Sequence, residues 1–440
     1  LSLPLHYLRA KWVFTRLKGD ALRRYQDRRA RALVAFAARH APFYRAHWVG
    51  HDLAEWRTLP PVDKAAMMAH FGTFNTRGVG RDEAMEVALR AERTRDFAPT
   101  VRGDLTVGLS SGTSGHRGLF LVSPEERAAW AGTALARVLP HMLPPKGYRI
   151  AFFLRSNSNL YETVGASRRV HFRWFDLMTP LDEAVAGLNA FAPHLLVGPP
   201  SLLAMLAAER ERGALRIAPE RLVSVAEVLE PQERARLEAA FGVPVGQVYQ
   251  CTEGFLAATC PAGRLHTQED VVALQYESAD ANDPARVTPV VTDLWRRAQP
   301  IVRYRLGDVL RLSGETCPCG CAWQVIAAVE GRADDVCRFV GTGGELRAFF
   351  PDTIRRLVLL ADDRIRDYAA EQERPGYLRL YLDVPDGAPF DAVTAAVRAS
   401  AEATVAQYGC RPLCLTIERG LPSVPPGAKR RRVRCLYTST

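Results

Sequence analysis

Apolar residues near the start of the chain recur at helical spacing. Leu5, Leu8, Trp12, Val13 and Leu17, then Leu33, Val34 and Phe36, mark an apolar side on segments crowded with arginine. This predicts helix over 5–48 with a solvated basic face. Residues 81–96 predict a further polar helix. The period then changes: 105–109 alternates apolar and polar, as a half-buried strand does, and Leu119-Phe120-Leu121-Val122 is apolar throughout. Pro124 opens a helical pattern that reaches 143, with Ser123 as its N-cap and Glu125 and Glu126 in its first turn.

Short apolar runs at 149–154, 170–175, 195–198 and 221–225 then alternate with helical stretches at 181–191, 201–212 and 231–241. That alternation predicts α/β layering with at least one largely parallel sheet, whose ligands bind beyond the carboxyl ends of the strands. The polar turns at Asn157, Gly198 and Ala226-Glu227 are therefore candidate rims of one crevice. Beyond 335 the character shifts: strands predicted at 377–382 and 413–417 flank a helix over 390–408. The expected fold class is α/β, a large multi-sheet N-terminal domain of layered α/β subdomains followed by a small α+β C-terminal domain.

The polar interval between the first two predicted strands carries candidate chemistry. Ser110, Ser111, Gly112, Thr113, Ser114, Gly115, His116, Arg117 and Gly118 combine hydroxyls with glycines, so successive N–H groups can converge on a polyphosphate. No Gly-Lys-Ser/Thr follows and no helix opens, so this is not a P-loop; a plain flexible connection is the other reading. In Tyr249-Gln250-Cys251-Thr252-Glu253-Gly254 a hydroxyl beside a carboxylate at a strand end suits a phosphate oxygen and its Mg²⁺, or else Thr252 caps a helix. Residues 300–308 alternate as a strand ending in Gly307-Asp308, where an Asp can accept the hydroxyls of a ribose or simply make a turn. Glu330-Gly331-Arg332-Ala333-Asp334-Asp335 is a dense charged turn.

Composition narrows the class. At 440 residues the chain exceeds one comfortable core, and 48% apolar with 24% charged residues is ordinary for a globular protein. The net charge of +10 could favour an anionic partner, but the excess is scattered arginine with one dense block at Lys429-Arg430-Arg431-Arg432. Specific nucleic-acid binding is therefore weakly supported, and a zinc-containing basic nucleic-acid-binding protein stands only as the alternative from another class. No signal-peptide pattern or membrane-spanning run is read, and nine unevenly spaced cysteines suit a reducing compartment, so the expected location is cytoplasmic.

Ser-Ser-Gly-Thr-Ser-Gly at 110–115, Tyr-x-x-Thr-Glu at 249–253, Arg-Tyr-Arg-x-Gly-Asp at 303–308 and Gly-Arg-x-Asp-Asp at 331–335 occur in that order. Over roughly 25–435 the chain thereby resembles the adenylate-forming superfamily of acyl-CoA synthetases. Within it the similarity is to the phenylacetate–CoA ligase branch and its deazaflavin-adenylylating relatives. The resemblance implies that Ser110, Ser111, Gly112, Thr113, Ser114, Gly115 and Arg117 wrap the ATP phosphates, Arg117 standing where a Lys is usual. Tyr249 and the Ala226-Glu227 segment would flank adenine, Thr252 would touch the α-phosphate and Glu253 would hold Mg²⁺. Asp308, with Arg332 nearby, would bind ribose. Asp334 would be the hinge between an N-terminal adenylation domain, 1–333, and a mobile lid, 334–440. Lys429, with Arg430 as rival, would grip the carboxylate and α-phosphate. Gln250, where the family has Gly, would narrow the acyl end; Asn157, Asn159, Tyr161 and Arg168 are candidates for lining it.

The same branch carries Cys, His and a Cys-x-Cys-Gly knuckle. Cys260, His266, Cys317 and Cys319 would accordingly make a closed structural Zn²⁺ site, with Cys321 able to replace one ligand and free thiols as the other reading. Cys251, Cys337, Cys410, Cys414 and Cys435 read as packing residues. The implied activity is ATP-dependent conversion of a carboxylic acid, by resemblance an aryl one, to acyl-AMP and then to a thioester of CoA or carrier-protein phosphopantetheine. An acyl carrier protein and a homodimer are compatible partners. An adenylylating synthetase or amide-forming ligase with a non-thiol acceptor is the alternative.

Overall fold

The computed structural model describes residues 2–110, 118–139, 142, 147–154, 156–166, 169–423 and 431–437, with only the backbone described at Ala166, Asp334 and Asp352. Contacts divide the chain into two units: 1–278, 289–306 and 312–327 in the first, and 279–288, 307–311 and 328–440 in the second.

In the first unit the basic N-terminal segment forms helices Leu3–Arg16, Gly19–His40 and Pro42–His47 rather than one continuous stretch. The second break falls at Ala41, whose extended dihedrals follow from the proline after it. Leu33 and Val34 turn inward onto Trp56, Val291 and Tyr304, forming one core. Helix Pro124–Val138 begins as its sequence predicts. Ser123 Oγ accepts from Glu126 N at 3.4 Å, and Glu126 Oε2 accepts from Ser123 N at 2.8 Å, a reciprocal cap. It stops at Val138 instead of reaching 143, because Leu139 precedes Pro140 and is held extended.

Strands β1 (Thr106–Leu109) and β2 (Leu119–Val122) form a hairpin in register Leu109–Leu119. The main sheet runs through β3 (Tyr148–Leu154), β4 (Val170–Asp176), β5 (Leu195–Gly198), β6 (Arg221–Ser224) and β7 (Val245–Cys251), parallel in the order β4-β3-β5-β6-β7. It continues antiparallel through β8 (Gly254–Thr259) and β9 (Leu265–Thr267). Ala151, Phe153, Leu196 and Leu222 pack into one cluster, while Ile150, Leu195, Val197 and Val223 pack into another. This two-residue alternation buries both faces of the parallel strands, so each reads as a continuous apolar run.

Then come β10 (Val272–Ser278), β11 (Arg286–Asp293), β12 (Tyr304–Arg305), β13 (Asp308–Ser313) and β14 (Val325–Arg332). The strand predicted over 300–308 is thus reduced to two residues. Arg303 takes a left-handed φ of 48°, which breaks the pleat, and Asp308 opens β13 instead of closing a strand.

The second unit adds β15 (Cys337–Val340), β16 (Leu346–Phe349), β17 (Asp367–Gln372), β18 (Tyr377–Asp383), β19 (Cys414–Arg419) and β20 (Val433–Cys435). Its four-stranded sheet, ordered β19-β18-β17-β20, is covered by helices Pro351–Leu359 and Phe390–Gln407 around a core including Leu378, Leu380, Val393 and Val397. This is the small α+β domain anticipated from the periodicity. Cys414, read as a packing residue, is exposed there. Among the described residues no helix is long and apolar enough to cross a membrane.

Candidate active site and metal centre

Thr252 and Glu253 form the two-residue turn between β7 and β8, whose register ends on Cys251–Gly254. A helix therefore does not start here, and Thr252 is not an N-cap: the antiparallel ladder on either side fixes a hairpin. Thr252 Oγ1 donates to Glu253 Oε2 at 2.9 Å. The Glu253 residue is only 8% exposed, yet its carboxylate has no ion pair among the described residues. The Tyr304 hydroxyl lies beside it; burial first, then the neighbouring Glu253, raises that phenol above its ordinary pKa.

Arg296 braces this turn. It donates from Nη1 to the Thr252 carbonyl, and from Nη2 to Leu121 O at 2.8 Å. Gln299 Oε1 accepts from Leu121 N at 2.7 Å. The backbone N–H groups of Arg297 and Ala298 both donate to Glu126 Oε1. Asp293 closes the separate turn that carries Arg296, accepting from Trp295 N at 2.9 Å and Arg296 N at 3.2 Å. Burial pushes its carboxyl up to about 6, against the opposing pull of Arg296.

Of the phosphate-loop candidates, Ser111, Gly112, Thr113, Ser114, Gly115 and Arg117 lie outside the described residues. Ser110 is described and closes the loop's neck: its N–H donates to Gly118 O at 2.7 Å, and its Oγ accepts from Gly118 N at 2.7 Å. A Cβ on Gly118 would meet Lys64 Cε at 3.2 Å, so the Lys64 stem lies across the loop's exit.

Ala226 follows β6 with a left-handed φ of 69°, a strained geometry for a residue with a side chain. Glu227 is engaged within the protein: its carboxylate accepts from Ser201 N at 3.2 Å and Ser201 Oγ at 3.1 Å, at the start of helix Pro200–Glu211. Tyr249 is half-buried in β7.

In the second unit Arg332 Nη1 reaches Asp308 Oδ1 at 3.4 Å. Gly307 permits this approach, since a Cβ there would sit 2.7 Å from Arg332 Nη2. Glu330, at the base of the charged turn, accepts from Arg286 at 2.7 Å and Arg311 at 2.9 Å. The Asp334 backbone lies in the 3-10 turn Ala333–Asp335, and its side chain is outside the description. Lys429 and Arg430 also lie outside the described residues.

The metal candidates converge. Ligand atoms of Cys260, His266, Cys317 and Cys319 all lie within 4.8 Å of one another. Cys260 Sγ is 3.6 Å from Cys317 Sγ, and Cys319 Sγ is 3.5 Å from His266 Nε2. A tetrahedral zinc with ordinary Zn–S and Zn–N bonds implies edges of about 3.8 Å and about 3.6 Å. The fit is close. His266 is fully buried and its Nδ1 lies 2.9 Å from Trp323 O, which orients Nε2 towards the thiols. Cys321 packs instead with Val13, Leu22 and Trp323, and burial pushes its thiol up to about 12.

No family model matches the chain. The phenylacetate-coenzyme A ligase of Thermus thermophilus is 26% identical over 385 residues, covering 82% of this chain and 80% of that protein. A 2-hydroxyisobutyryl-CoA ligase in its postadenylation state superposes with a TM-score of 0.71 at 20% identity, covering 95% of this chain and 90% of that one. The fold is that of the adenylate-forming ligases. The acyl acid amido synthetase AtGH3.15, in complex with 2,4-DB, also superposes, with a TM-score of 0.63 at 13% identity over 98% of this chain and 94% of that one.

Sequence reading missed the residues that brace the family motifs: Glu126, Asp293, Arg296, Gln299 and Lys64. Only Glu126 carried a signal, its place three residues after Ser123, and that signal pointed to capping alone.

Proposed function

We propose that this chain activates a carboxylic acid with ATP, releasing pyrophosphate, and passes the acyl group to a thiol. The observation that carries the reading is Glu253, a buried carboxylate on a hairpin turn with no cationic partner among the described residues. Such a charge is costly unless a cation joins it, and a hard oxygen donor suits Mg²⁺. Glu253 would hold that ion, which when bound supplies positive charge to phosphate oxygens.

In the first half-reaction a substrate carboxylate oxygen attacks the α-phosphorus and the bond to pyrophosphate breaks, giving acyl-AMP. Two anions must meet in line, so donors and cations fixed beforehand lower the barrier. Thr252 would donate to the α-phosphate and the 110–118 loop would hold the leaving phosphates. Lys429 would neutralise the attacking carboxylate, Tyr249 with Ala226 would flank adenine, and Asp308 with Arg332 would hold the ribose. Glu227 would reach the adenine side only by releasing Ser201. In the second half-reaction the thiol sulfur attacks the acyl carbon and AMP leaves, after 334–440 turns about Asp334. Coenzyme A is the first acceptor to test, with carrier-protein phosphopantetheine next.

Cys260, His266, Cys317 and Cys319 would hold a structural Zn²⁺, with no position left for water. ATP–pyrophosphate exchange across a panel of aryl and aliphatic acids tests the adenylation step. Acid-dependent exchange followed by thioester formation is the expected result, and silence with every acid ends the proposal. Amide formation without thioester would move the chain to the amido-synthetase reading.

A further inference from the structure

Half-buried aromatic rings meet in the first unit where the carboxyl end of β7 faces helix Pro124–Val138. Trp130 and Tyr161 stand edge to face with centroids 5.5 Å apart; Phe152 lies 4.9 Å from Tyr161 and 5.6 Å from Phe172. Each of these rings is half-buried, Trp130, Phe152 and Phe172 packing against the core beneath, so together they present a partly exposed apolar wall.

Gln250 stands on that wall, two residues before Thr252. Trp130 Nε1 donates to Gln250 Oε1 at 2.9 Å. An indole N–H can only donate, so the carboxamide must turn its oxygen to Trp130 and its NH₂ group away. That NH₂ group has no partner among the described residues. Neither does the Tyr161 hydroxyl, which burial keeps protonated by pushing its pKa up to about 12. The wall is therefore apolar with a fixed donor at one edge, close in sequence to the turn carrying Thr252 and Glu253.

We propose that this wall receives the acyl part of the substrate, and that Gln250 is a specificity-determining residue whose Trp130-locked amide donates to an acceptor oxygen on it. The substrate class is a flat aryl acid with an ether or carbonyl oxygen on the ring. The assignment rests on the acid-activating function proposed above. A site that presents a fixed donor discriminates against analogues with nothing to accept, because the donor is then left dry.

The test is ATP–pyrophosphate exchange by the full chain with phenylacetic acid and its methoxy and amino derivatives at each ring position. Wild type should favour a methoxy acid over the unsubstituted one by about tenfold in kcat/KM at one position. Gln250→Leu should remove that preference. Trp130→Phe, which unlocks the amide but keeps a ring, should weaken it. Gln250→Glu, which offers an acceptor instead, should shift preference towards the amino derivative. A wild type with no preference at any position overturns the inference, as does a preference that persists in Gln250→Leu. If Gln250→Leu does not fold, the direction of the Gln250→Glu shift decides. Exchange with a flat preference sinks this assignment alone; no exchange with any acid sinks the ligase function and this assignment with it.

Discussion

Arg431 grips both carboxylate oxygens of Asp335, Nε reaching Oδ2 at 3.0 Å and Nη2 reaching Oδ1. The Asp335 side chain is only 5% exposed, so the fork sets a positive charge against a mostly buried carboxylate. The pair joins the residue after Asp334 to the far end of the segment that contains Lys429. Arg431→Ala should destabilise the second unit by about 2 kcal/mol, because it removes a two-point, charge-assisted contact from a mostly buried carboxylate. Arg431→Lys should recover only part of that, having charge without the fork. Urea unfolding followed by a probe in 334–440 checks both.

Lys429→Ala should abolish acid-dependent pyrophosphate exchange while largely sparing thioester formation from supplied acyl-AMP. Single-turnover assays of the two half-reactions measure the split. Equal loss in both, or exchange that persists, would reassign the lysine, with Arg430 the next residue to test.

Purified protein should carry about one zinc per chain. Cys260→Ser should bring that below about half and lower the onset of thermal unfolding. Cys321→Ser should leave the metal content as it is, since Cys321 packs away from the cluster. Metal analysis by mass spectrometry distinguishes the two.

Asp293 gives a pH dependence with a definite sign. Its folded pKa, about 6, lies above the ordinary 3.8, so the folded state holds the proton more tightly. The contribution is fully present below the unfolded value and is lost as pH rises through about 6. Asp293→Asn keeps an oxygen for Trp295 N and Arg296 N and removes the ionisation. Relative to wild type the variant should therefore gain stability between pH 5 and pH 8, an interval set by about one unit or more on either side of that folded pKa. Melting temperatures across that range provide the check, and parallel curves would refute it.

Much of this architecture was legible along the chain. Ser123 with Glu126 announced a helix start, and the continuous apolar runs at 195–198 and 221–225 announced strands buried on both faces. Cys260 and His266 with the Cys317–Cys319 knuckle marked out four side chains that the fold brings together. What escaped depends on distance or on backbone choice. Thr-Glu-Gly suits a helix start as well as a hairpin, and only the pairing of β7 with β8 decides. Arg303 enters left-handed space that no local pattern marks. Trp130 and Gln250 are separated by 120 positions, and Glu126 meets Arg297 across 171, so neither contact leaves a periodic trace.

The neck closed by Ser110 and Gly118 bears on how the hairpin beneath it is held. Both hydrogen bonds and the Leu109–Leu119 register lie at or outside the neck, so the described pairing of the hairpin is complete there. A hairpin closed in this way draws its strand pairing from residues on either side of the span, Leu109 and Ser110 before it and Gly118 and Leu119 after it.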